Sequence, residues 1–86
     1  MKPYRQEHFG NTIIREFGVD TNPLELVWHR DKRDRIVEVL EGEGWEFQMD
    51  NELPRVLKKG DVLDIPKEVY HRVKKGNSKL VIKIIE

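Results

Sequence analysis

Gly60-Asp61-Val62-Leu63-Asp64-Ile65-Pro66, with His71 five residues further on, is the stretch from which the fold of this chain can be read. Gly60 marks a turn, where a residue without Cβ supplies positive φ at no steric cost. Val62 to Ile65 is a short apolar-rich run of strand length. Pro66 marks its end, where a missing N–H removes nothing from the ladder. The same arrangement recurs in both directions from it. Turn chemistry falls at Gly10-Asn11, Gly18 to Pro23, Gly42 with Gly44, Asp50-Asn51 and Gly76-Asn77. Between these points lie further candidate strands: Thr12 to Phe17, Leu24 to His29, Ile36 to Glu41, Trp45 to Met49, Arg55 to Leu57, Val69 to Val73 and Leu80 to Ile85. Trp45, Phe47 and Met49 share one face while Glu46, Gln48 and Asp50 share the other, which is the period of a strand. No window has a helical period of useful length. Short strands at regular spacing predict an all-β sandwich or barrel. Arg30 to Arg35, six charged residues in a row, reads as a solvated loop between strands.

Composition narrows the classes of function. The 86 residues suffice for one domain, 1–86, without linker or repeat. Lys plus Arg is 16 and Asp plus Glu is 16, so there is no basic excess for nucleic acid and no charge drawing the chain to an anionic membrane. Cysteine is absent, which excludes disulfides, thiolate metal sites and a thiol nucleophile. The start, MKPYRQEHFG, has no apolar run of leader length, and no stretch approaches the roughly 20 apolar residues of a membrane span. A cytoplasmic location is the default expectation. Ser78 is the only serine and lies in a turn, so no Ser-His-Asp set is available, and there is no phosphate-cradling glycine loop.

Two segments stand out together. One is Trp28-His29-Arg30-Asp31, continuing through Asp34-Arg35 to Val39-Leu40-Glu41-Gly42. The other is Gly60 to Pro66 with His71. They resemble the two motif regions of the cupin superfamily, and the resemblance covers about Leu24 to Ile85. It implies a small cupin-like β-barrel, a double-stranded β-helix or jelly roll. Gly60, Pro66 and His71 keep the spacing of the second motif, and Gly42 closes the first. His29 stands at the first-motif His. Asp31 replaces the second His, Arg35 replaces the Glu, Glu68 replaces the Gly of the second motif and Lys75 the Asn that often follows the last His.

The resemblance brings His29, Asp31 and His71 into one mouth of the barrel. Two imidazoles and one carboxylate with open positions suit non-heme Fe(II), and the same donors can hold Zn²⁺ or Mn²⁺. The His-x-Asp spacing with a distant His is also similar to the ligand pattern of iron- and 2-oxo-acid-dependent oxygenases. Arg35 has two readings. It can grip an anionic ligand beside the metal through its planar guanidinium. It can instead pair with Asp31 or Asp34, neutralise the carboxylate and leave no metal site. Gln48 and Tyr70 are further candidates for the ligand pocket. His8 reads as a surface residue, and Trp28, Trp45 and Phe47 as core.

Three functional classes follow. The first is a metal-dependent enzyme, an oxygenase or isomerase acting on a small anionic substrate. The second is a non-catalytic module that binds a ligand or metal, and the third a structural barrel without metal. Fold alone does not choose among them. The apolar end strands, with Ile13-Ile14 and Leu80 to Ile85, have edges that need cover, which together with the resemblance predicts a homodimer.

Overall fold

The structure, a computed structural model, describes residues 3–86; Met1 and Lys2, part of the stretch read for a leader, lie outside the described residues. Eight strands form: β1 Arg5–Phe9, β2 Thr12–Phe17, β3 Arg35–Glu41, β4 Glu46–Met49, β5 Arg55–Val56, β6 Val62–Ile65, β7 His71–Lys74 and β8 Leu80–Ile85. The class is all-β, as expected. Five strands make one sheet in the order β1-β2-β8-β3-β6, and three make a second in the order β5-β4-β7. Every strand pair is antiparallel.

Alternation decides which side chains meet between the sheets. On β2, Ile13, Arg15 and Phe17 are buried while Thr12, Ile14 and Glu16 are half-buried. On β8 the buried residues are Leu80, Ile82 and Ile84, and on β3 they are Val37 and Val39. From the second sheet come Phe47 and, just before β4, Trp45. Trp45 is fully buried; its ring lies 5.6 Å from that of Phe17, and its Nε1–H donates to Ser78 O at 2.7 Å. The apolar cluster therefore joins the two sheets. Each such side chain removed from water stabilises the fold by about 1.5–3 kcal/mol.

Several expectations need correction. Leu24 to His29 is not a strand. Pro23–Glu25 form a 3-10 turn capped by the Asn22 side chain, and Leu24, Val27 and Trp28 are exposed. Trp28 is thus not core; the Arg72 guanidinium lies over its ring at 4.7 Å. A strand that the sequence does not advertise, β1, pairs with β2 from Arg5↔Glu16 to Phe9↔Thr12. It is polar and mostly exposed, so apolar periodicity could not reveal it. Gly76 does not have positive φ. A Cβ there would collide with Glu43 O and Trp45 N, so the residue is small because two backbones meet.

Candidate metal centre

His29, Asp31 and His71 come together. Each offers one ligand atom, and the three atoms lie within 4.8 Å of one another. His71 opens β7, whereas His29 sits in the segment before the charged loop. Backbone bonds tie these segments together: His29 N–H donates to His71 O at 3.0 Å, and His71 N–H to His29 O at 2.8 Å. The two rings meet edge to face, 4.3 Å between centroids. Asp31 is held from the other side, its carbonyl accepting from Glu68 N–H at 2.7 Å. Glu68 has φ +64°, the left-handed region in which the glycine of the resembling motif is at home.

Both imidazoles are oriented by the same local device. His29 Nδ1 lies 3.1 Å from Val27 O and His71 Nδ1 lies 2.9 Å from Val69 O, each a carbonyl two residues back. A carbonyl only accepts, so Nδ1 carries the proton of each neutral ring and Nε2 presents a lone pair. Burial, which favours the neutral ring, holds the His71 pKa below its ordinary value, against the opposing effect of the Val69 carbonyl, which raises it.

Asp31 completes the set. Its Oδ1 is paired with Arg35 Nη1 at 3.2 Å. Its Oδ2 is buried without a hydrogen-bond partner, although His71 Nε2 lies 3.3 Å away. With the His71 proton on Nδ1, two lone-pair atoms face each other across that gap, an arrangement that repels until a cation enters. Buried polar atoms are rarely left unpaired, so an orphan at this point fits a metal ligand. Metal-bound histidines commonly give their other ring N–H to a carbonyl, as both do here. The donor set thus fits a divalent cation.

The pairing of Arg35 bears on both of its readings. Arg35 Nε pairs with Glu86 Oε2 at 3.1 Å while Nη1 holds Asp31 Oδ1. The guanidinium is committed to two carboxylates, yet it leaves Asp31 Oδ2 open. Glu86 was not singled out by sequence, because nothing in its position marks it as a partner of a residue 51 positions away.

The site floors a cavity of about 480 Å³. Its walls include His29, Asp31, Arg35 and Glu86, together with Tyr4 just before β1, Gln6 of β1 and Arg15 of β2. A smaller apolar recess of about 50 Å³ runs behind the site, past His71, toward Phe47 and Ile84. Gln48 and Tyr70 are not on these walls. Gln48 accepts from Arg72 Nε and donates to Glu52 O, and Tyr70 is exposed beneath Arg30. His8 is exposed at the rim of the cavity. Arg15 is a residue that sequence reasoning missed. Its signal was present: Ile13, Arg15 and Phe17 alternate, which places a charge on an inward face.

No family model and no curated protein matches the sequence, but solved structures match the architecture. A cupin-2 domain protein from Shewanella frigidimarina aligns with 24% identity and a TM-score of 0.67, over 96% of this chain and 78% of that one. The fold is cupin-like. A cupin-like protein from Thermotoga maritima aligns with 27% identity and a TM-score of 0.68, over 95% of this chain and 65% of the other. HppE with Co(II), in complex with Tris buffer, aligns with 18% identity and a TM-score of 0.74. This cupin-like chain is covered completely in that comparison and spans 55% of HppE. Among the described residues no helix is long and apolar enough to cross a membrane.

Proposed function

We propose that the chain is a metal-dependent small-molecule site, in which His29 Nε2, Asp31 Oδ2 and His71 Nε2 hold one divalent cation at the floor of the cavity. The observation that carries this reading is the buried, unpartnered Asp31 Oδ2 facing an imidazole whose proton is held elsewhere. Fe(II), Mn²⁺ or Zn²⁺ suits two imidazoles and one carboxylate. Support comes also from HppE, whose structures contain Co(II) or Fe(II). Bound there, such an ion would supply a Lewis acid. The chain's own residues do the rest. Val27 and Val69 carbonyls hold the imidazole protons outward, Arg35 fixes the Asp31 carboxylate, and the wall of Phe47 and Val73 keeps water from behind the site.

The test is elemental analysis of protein purified without a metal-binding tag, beside the His29→Ala, Asp31→Ala and His71→Ala variants. Stoichiometric metal in the wild type that is lost in all three is the expected result. A wild type that takes up no Fe, Mn or Zn on soaking overturns the proposal. Oxygen uptake by the Fe(II)-loaded protein with a panel of 2-oxo acids then separates an oxygenase from a binding module.

A further inference from the structure

Arg15 is a cationic side chain of the cavity wall that the metal site does not use. It is 9% exposed, on the inward face of β2. Its Nε donates to Gln6 Oε1 at 2.9 Å, and Tyr4 covers one face of the guanidinium, 3.9 Å from Cζ to the ring centroid. Those contacts set the plane of the group. Among the described residues no carboxylate reaches salt-bridge distance of Arg15, in contrast to Arg35, which has two. The Nη1/Nη2 end is left without a partner there, while the side facing Gln6 is taken. Asp31 and Glu86 act on Arg15 from beyond pairing distance, and the guanidinium end presents the fork that a carboxylate or phosphonate fits.

We infer that Arg15 is the anion anchor of the cavity, receiving end-on a carboxylate or phosphonate group of a small ligand whose other end lies at the His29, Asp31 and His71 cluster. The assignment rests on the metal reading, because the cavity walls otherwise lean negative. Arg15 and Arg35 face Glu25, Asp31 and Glu86, an excess of one negative side-chain charge. A divalent ion on the cluster inverts that excess to one positive. Anion binding and metal binding are therefore coupled, and Arg15 chooses which end of the ligand points away from the metal. Arg35, with Nε held by Glu86 and Nη1 by Asp31, is already charge-paired and orients Asp31 rather than the ligand.

The experiment is NMR titration of the metal-loaded protein, with Zn²⁺ as the diamagnetic ion, using succinate, methylphosphonate and, as the neutral control, succinamide. The Arg15 Nε–H resonance and the amides around Gln6 are followed. Succinate or methylphosphonate is expected to shift them saturably, and succinamide is not. Arg15→Met should weaken the anion at least tenfold while keeping stoichiometric Zn²⁺, and Arg15→Lys should recover only part of the loss. The stronger of the two anions identifies the ligand class. The wild-type resonances remain decisive if Arg15→Met does not fold. Zn²⁺ bound normally, with no anion-dependent change at Arg15 or equal affinity in Arg15→Met, overturns the assignment. A wild type that holds no Zn²⁺ but still shifts Arg15 with succinate overturns the metal reading and leaves Arg15 as the anchor.

Discussion

The end of the molecule around Trp45 and the end around Asp31 are built to opposite rules. At the first, every demand is met from within. Trp45 is fully buried, its one N–H has a carbonyl, and Gly76 lets a neighbouring backbone close against it. At the second, a cavity stays open, and Asp31 Oδ2 is the buried side-chain atom left unpaired among the described residues. The same two sheets supply both ends. The contrast teaches that the chain is able to satisfy its polar groups, so the unpaired oxygen of Asp31 is a property of that site rather than of a loose fold.

The largest expected effect tests the closed end. Trp45→Ala removes a side chain packed on Phe17 and should destabilise the protein by about 3–5 kcal/mol in urea unfolding. A loss below 1 kcal/mol would mean that this end is not the support of the fold, and the contrast fails. Next comes the open end. Zn²⁺ or Mn²⁺ at a hundred times its Kd should stabilise the native state by about 2.7 kcal/mol, raising Tm by roughly 10–20 °C. His71→Ala should abolish that rise while Trp45→Phe keeps it.

The pH dependence sharpens the same point. With the His71 pKa lowered by burial, the unfolded chain takes up a proton that the folded metal-free protein resists. Stability is then full above the ordinary histidine value of 6.5 and falls as pH drops below it, toward the lowered folded value. Denaturant midpoints between pH 5 and 8 check this, and His71→Leu should flatten the curve. Glu68→Gly should relieve the left-handed turn that carries Asp31 and stabilise by about 1 kcal/mol, with metal retained, since the Arg30–Glu68 pair it removes is half-exposed. Smallest of all, Glu16→Gln breaks an exposed pair with Arg5 and should change stability by less than about 0.5 kcal/mol.

What could be read beforehand divides along physical lines. Strands with two chemically different faces announce themselves, as Trp45, Phe47 and Met49 do. Leu24, Leu26 and Trp28 show the same alternation, yet they belong to a 3-10 turn and the loop after it, because Pro23 and the Asn22 cap favour a turn over a ladder. Strand β1 was hidden for the converse reason: an edge strand needs only backbone bonds to β2, and its polar side chains carry no period. At the site, spacing pointed to His29, Asp31 and His71. The pairing of Arg35 with Asp31 was one of the readings open in the sequence, whereas its pairing with Glu86 and the isolation of Arg15 were not legible, since both depend on which distant strand ends arrive beside them. Gln48 was misplaced by one face of β4: Phe47 turns inward, so its neighbour cannot.

The paired backbone bonds between His29 and His71 make each histidine a hostage to the other. The strands between them must pair before the two imidazoles can meet, so binding of an ion to both is coupled to folding. Protection of the two amides against deuterium should consequently rise in step when the cation arrives, as a single latch read at both of its ends.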